Sequence, residues 1–217
     1  MKKSTFAALL VLLAAGVSSV QAQDAAAGNP AQGQAKAAMC IGCHGIEGYR
    51  ATFPEVYQVP MISGQGAKYI ASALGAYRKG ERKHPTMRGI AGSLSDADIA
   101  DLAAFYSAQV KPSSATSGAA APAVAELLKK GNCTSCHGEG LNKPIDPTYP
   151  KLAGQHADYI LAALKAYKTT NNANVGRGNA IMGGMAAPFS NAELKQLAGY
   201  IASLPGELTV VPNAKFR

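Results

Sequence analysis

One motif, written twice, constrains this chain more than anything else in it. Cys40-Ile41-Gly42-Cys43-His44-Gly45 recurs as Cys133-Thr134-Ser135-Cys136-His137-Gly138. The surroundings repeat as well. Pro60-Met61-Ile62-Ser63-Gly64-Gln65 returns as Pro150-Lys151-Leu152-Ala153-Gly154-Gln155, and Tyr69, Ala73 and Tyr77 return as Tyr159, Ala163 and Tyr167. Leu94-Ser95-Asp96-Ala97-Asp98 returns as Phe189-Ser190-Asn191-Ala192-Glu193. The offset between copies drifts by a few residues, as insertions in loops would cause. A repeat of this length means two homologous domains, each with its own core.

The joint is the small, polar stretch from Lys111 to Pro122, uncharged after Lys111, which reads as a flexible linker. The expected division is an N-terminal domain over 24–111, a linker over 112–122 and a C-terminal domain over 123–217. Residues 1–22 precede them as a cleaved signal peptide. Lys2 and Lys3 form its basic end, Ala7 to Val17 its apolar run, and Val20-Gln21-Ala22 its cleavage site. No later run is long and apolar enough for a membrane span. The expected compartment is the periplasm, where thiols are not kept reduced.

Each repeat predicts three helical segments. Asn29-Pro30 and Pro122 open the first pair, since Pro is favoured at the first helical position. The tyrosine–alanine–tyrosine stripes, spaced i, i+4, i+8, mark the second pair. Ser95-x-x-Asp98 and Ser190-x-x-Glu193 are capping boxes that open the third, with Ile99, Leu102, Ala103 and Tyr106 as the apolar face of the first-repeat copy. No segment alternates with period two for long, so the fold class is all-α. Aromatic residues are only 6% of the chain and Trp is absent. That is thin for two side-chain cores and favours a large apolar cofactor.

The Cys-x-x-Cys-His pairs supply the means to hold one. Two thiols at this spacing form thioethers to the two vinyl groups of a haem, and the adjacent His lies under the ring to bind iron. This uses Cys40, Cys43, Cys133 and Cys136, the only four cysteines, and gives two covalently bound haem c groups with His44 and His137 as iron ligands. A four-thiolate zinc site requires the two pairs to meet, although each has its own His. A thioredoxin-like redox pair requires a βαβ context that is missing. A disulfide within Cys-x-x-Cys is strained and fixes little chain.

The sixth iron ligand comes from downstream, among Met61, Met87, Met182, Met185, His84 and His156. The repeat register selects Met87 and Met182, which stand at the same distance before Ser95 and Ser190. Met61 aligns with Lys151, His156 with Gly66, Met185 with Ile90 and His84 with Asn179, so none fits a shared role. Met185 and His84 remain the alternatives in their own repeats.

With these motifs the chain resembles the two-domain c-type cytochromes of the cytochrome c4 family, each half similar to a small class I cytochrome c. The resemblance implies two tandem domains related by a pseudo-twofold axis and His–Met ligation at His44, Met87, His137 and Met182. It also implies that Pro60 and Pro150 receive the second N–H of each haem histidine. It points to an electron carrier, not an enzyme, moving electrons from a quinol-oxidising complex to a terminal oxidase. The alternative is the electron-accepting subunit of a flavin- or sulfur-oxidising dehydrogenase. A dihaem peroxidase needs one open iron, against the matched methionines. Two departures from the family pattern, the insertion Tyr49 to Tyr57 and the tail from Pro205, are candidate partner surfaces. The net charge of +8 leaves acidic partners open, but neither domain alone is basic enough to suggest nucleic acid, and peripheral membrane association stays open. Arg78, Lys79, Arg82, Lys83 and Arg88, around Met87, suit an acidic partner or haem propionates.

Overall fold

Asn29 starts the first helix as the sequence predicts, its side-chain oxygen accepting from the N–H groups of Ala31 at 2.9 Å and Gln32 at 3.3 Å. The computed structural model describes residues 28–112 and 118–212; the signal peptide expected over 1–22 and part of the linker lie outside the described residues. The single segment expected before Cys40 is two short helices, α1 (Pro30–Lys36) and α2 (Ala38–His44). They meet at Ala37, which is fully buried. Packing at that point, which a periodicity argument does not see, sets the bend.

The rest of the first repeat is α3 (Ala67–Lys79), α4 (Pro85–Gly92) and α5 (Asp96–Ser107). The second repeat runs through α6 (Pro122–Lys130), α7 (Thr134–His137), a 3-10 turn at Glu139–Leu141, α8 (Ala157–Lys168), α9 (Ala180–Ala186) and α10 (Asn191–Ser203). Both capping boxes form. Ser95 and Asp98 exchange side-chain and backbone hydrogen bonds at the start of α5, as do Ser190 and Glu193 at the start of α10. The expected apolar face of α5 is buried at all four positions.

Helix α1 crosses α5 at very close range. A Cβ on Gly33 would lie 2.1 Å from the carbonyl oxygen of Asp101, so only glycine permits the approach. Around that crossing, Lys36 Nζ lies 2.7 Å from Asp98 and 2.8 Å from Asp101, and the Asn29 N–H donates to Asp101 at 2.7 Å. Ala37, Ile70, Leu102 and Tyr106 centre the first core; Leu141, Ile160, Ala198 and Ile201 centre the second, with Leu127, Phe189, Leu194 and Leu197 beside it.

Among the described residues four two-residue strands accompany the helices. Strands β1 (Arg50–Ala51) and β2 (Tyr57–Gln58) form an antiparallel pair that closes the insertion at its base. Strands β3 (Arg82–Lys83) and β4 (Gly176–Arg177) pair antiparallel between the repeats, Arg82 opposite Arg177. Two residues are too few to leave a period-two signal in the sequence.

The insertion and the tail, expected as partner surfaces, fold onto the opposite repeat. Asp158 accepts from Arg50 Nη1 at 3.1 Å and from the Gln58 N–H at 3.0 Å, while Lys165 donates to Glu55 at 3.1 Å. From the tail, the Thr209 N–H donates to the Ser63 carbonyl at 3.1 Å and the Glu207 carbonyl accepts from the Lys111 N–H at 3.3 Å, while the Glu207 carboxylate accepts from Lys151 within its own repeat. Both departures therefore brace the two repeats together.

Candidate functional site

Each Cys-x-x-Cys-His motif lies on the short helix its repeat forms first after the opening segment. Helix α2 carries Cys40, Cys43 and His44. Helix α7 carries Cys136 and His137, with Cys133 at its N-cap. None of the four cysteines is in a disulfide, and burial raises the thiols of Cys40 and Cys133 above their ordinary range. Among the described residues no three His, Cys, Asp or Glu side chains converge where they could hold a metal ion by themselves.

The two histidines are oriented alike. His44 Nδ1 lies 2.7 Å from the Pro60 carbonyl oxygen and His137 Nδ1 lies 2.9 Å from that of Pro150. A carbonyl can only accept, so Nδ1 carries the proton and Nε2 keeps its lone pair toward the cavity. Burial lowers the pKa of both rings, partly offset by these bonds. Both effects suit a neutral imidazole ligand.

The methionine register also corresponds to matched geometry. Met87 is the third residue of α4 and Met182 the third of α9. The N–H of each donates to the residue three before it, Met87 to His84 Nδ1 at 3.3 Å and Met182 to Asn179 Oδ1 at 2.9 Å. His84 and Asn179, aligned in the sequence, thus share the task of capping the methionine helix. Met185 also lines the cavity but is 46% exposed, while Met87 and Met182 are half-buried.

All these groups face one cavity of about 660 Å³ that runs through both repeats. Ile70, Leu74, Ile90, Leu94 and Leu102 wall it in the first repeat; Ile160, Leu164, Leu197 and Ile201 wall it in the second. Both tyrosine–alanine–tyrosine stripes line it. A large flat apolar group with a polar edge fits such walls.

The polar edge has its own receptor. At the β3–β4 junction, Arg82 Cζ stands 4.7 Å from the Tyr77 ring centroid and 5.9 Å from that of Tyr69. Arg177 Cζ stands 5.3 Å from the Tyr167 centroid and 5.5 Å from that of Tyr159. The hydroxyl of Tyr159 accepts from Arg177 at 2.9 Å and from Arg82 at 3.4 Å. Burial opposes ionisation of Tyr159, but the two guanidiniums outweigh it and pull the phenol below its ordinary value. Neither arginine is ion-paired among the described residues, and the buried Arg82 Nε has no hydrogen-bond partner there. Two enclosed like charges with an unpartnered donor require anions, as haem propionates would supply. By contrast Arg78 pairs with Asp96 at 2.6 Å, and Lys83 donates to the Asn172 carbonyl at 2.7 Å.

Sequence reasoning missed Arg177 and the part played by Gln65 and Gln155. The signal was available: Arg82 and Arg177 are related by the offset that relates Ser95 to Ser190, and both glutamines belong to the repeated Gly-Gln.

The family model for cytochrome c matches residues 30–107 and again 121–205. A cytochrome c4 of Azotobacter vinelandii is 37% identical over 202 residues, covering 82% of this chain and 90% of the relative. A thiosulfate dehydrogenase electron acceptor of Thiomonas intermedia is 31% identical over 190 residues, covering 83% and 85%. The crystal structure of reduced recombinant cytochrome c4 from Pseudomonas stutzeri superposes with a TM-score of 0.61 at 32% identity, covering 82% of this chain and all of that one.

Proposed function

The chain belongs to the cytochrome c family, in its two-domain c4 branch, and on that premise we propose that it shuttles electrons in the periplasm between a quinol-oxidising complex and a terminal oxidase. It is an electron-transfer protein with two covalently bound haem c groups. In the proposed site, Cys40 and Cys43 attach one haem and Cys133 and Cys136 the other. His44 with Met87 would hold one haem iron, and His137 with Met182 would hold the other. Haem supplies one-electron chemistry, and a thioether ligand favours the ferrous state.

The chain's own residues then do four things. Pro60 and Pro150 hold each histidine in the tautomer that presents Nε2. His84 and Asn179 fix the methionine backbones. The apolar walls exclude water. Arg82 and Arg177 would hold propionates at the junction. A His and a Met assigned to each iron would leave no ligand position for oxygen or peroxide, which supports a carrier over a peroxidase. The observation that supports the reading is the one cavity that both Cys-x-x-Cys-His constellations line together.

The second reading is an electron acceptor for thiosulfate oxidation, supported by the likeness to the Thiomonas intermedia protein. Stopped-flow mixing of the oxidised protein separates them. Rapid reduction by quinol-oxidising membranes and reoxidation by oxidase-containing membranes support the shuttle. Reduction only by a thiosulfate-oxidising catalytic subunit supports the second reading and removes the first.

A further inference from the structure

Two buried glutamines reach across the pseudo-twofold junction in opposite directions. Gln155, 5% exposed, accepts from the Met61 N–H at 3.0 Å and donates through Nε2 to the Met61 carbonyl at 2.9 Å. Gln65, 4% exposed, accepts from the Lys151 N–H at 2.9 Å and donates to the Lys151 carbonyl at 3.0 Å. Each Oε1 also accepts the next residue's N–H, Gly66 at 3.0 Å and His156 at 3.1 Å. Two N–H donors converging on Oε1 fix the orientation of each amide: a flipped group would set donors against donors.

The clamped residues are those that follow the histidine-binding prolines. The Pro60–Met61 peptide group accepts from His44 through its oxygen and donates to Gln155 through its nitrogen. The Pro150–Lys151 peptide group accepts from His137 and donates to Gln65. A peptide whose N–H is hydrogen-bonded shifts electron density to its oxygen and becomes a stronger acceptor. A stronger acceptor at Nδ1 makes the imidazole a more basic ligand. A more basic ligand favours ferric iron and lowers the potential.

We propose that Gln65 and Gln155 are positioning residues that tune each haem from the opposite domain: Gln155 acts on the His44 haem through the Pro60–Met61 peptide, and Gln65 acts on the His137 haem through the Pro150–Lys151 peptide. The proposal rests on His44 and His137 as iron ligands. Each potential then depends on the domains being docked, and separating them raises both.

The test is a redox titration of the intact dihaem protein, each wave assigned to its haem by nuclear magnetic resonance of the haem methyl groups. In Gln155→Leu the first-domain haem loses the polarising acceptor. Its oxidised-to-reduced ratio at fixed potential falls about threefold, or ~30 mV upward at 59 mV per decade, while the second haem holds its value. Gln65→Leu gives the mirror result. A shift in the haem of the mutated domain, equal shifts in both haems, or no shift overturns the proposal, because a merely loosened interface has no reason to act crosswise. If Gln155→Leu does not assemble with two haems, Gln65→Leu and the less bulky Gln155→Ala decide by the same criterion. Loss of histidine ligation in the wild-type spectrum overturns the underlying site; two normal waves without crossed shifts overturn only the glutamine coupling.

Discussion

Replacing Cys133 and Cys136 with alanine prevents haem attachment in the second domain and tests how far the haem is part of the core. Ile160, Leu164, Leu197 and Ile201 all face the cavity, so without a haem their apolar side chains border unfilled space. The cavity measures about 660 Å³ over both repeats. At about 24 cal/mol per Å³ of unfilled space, leaving all of it without a haem costs about 16 kcal/mol, or about 8 kcal/mol for one repeat. Small domains have a total stability of about 5–15 kcal/mol, so the second domain is expected to unfold, not merely to stand unloaded. The first domain keeps its haem and its Met87 ligation but loses the bonds Asp158, Lys165 and Gln155 make to it, so its melting temperature falls. Far-ultraviolet circular dichroism with haem counting by mass spectrometry reads both effects. A haem-free second half with full helix content would refute the reasoning.

Gly33→Ala places a Cβ 2.1 Å from the Asp101 carbonyl oxygen, so α1 must move off α5; a loss of about 1–3 kcal/mol is expected in denaturant melts of the holoprotein, and an unchanged midpoint would contradict the crossing. Arg82→Leu and Arg177→Leu each remove a cation beside the haem edges, which favours the ferric state, so both potentials should fall in a redox titration; unchanged potentials would show that these guanidiniums do not face the propionates. Glu193 is held down to about 2 by the Ser190 N–H, Lys130 and the Ser190 hydroxyl, from an ordinary 4.5. A depressed carboxylate contributes stability above its unfolded pKa that is lost as pH falls through its folded one. The melting temperature should therefore drop between pH 4.5 and 2, with a shallower drop in Glu193→Gln; equal slopes would remove Glu193 from the acid transition.

How much of this was legible in the sequence follows from the range of the interactions. The all-α class, the two repeats and the haem motifs rest on local signals: Cys-x-x-Cys-His, the capping boxes at Ser95 and Ser190, and the helical spacing of Tyr69, Ala73 and Tyr77. The bend at Ala37 depends on tertiary burial, so one expected helix became two. The β3–β4 pair joins residues far apart in the chain and only two long, and no window of sequence contains it. The contacts that the insertion and the tail make between the repeats were hidden because Asp158, Lys165 and Ser63, which hold them, lie in the other repeat. Arg177 shows the converse: its equivalence to Arg82 was readable in the repeat, but the need for a second arginine appears only when both guanidiniums meet around Tyr159.

The arrangement at the centre of the account is His44 with Met87 and His137 with Met182. The near-infrared sulfur–iron charge-transfer band of the oxidised protein tests it most directly. The wild type should show the intensity of two such bonds per chain, Met87→Ala and Met182→Ala should each halve it, and Met185→Ala and His84→Ala should leave it whole. If Met185→Ala halves the band while Met182→Ala spares it, the matched registers before Ser95 and Ser190 do not identify the ligands, and the paired-site account fails in the second domain.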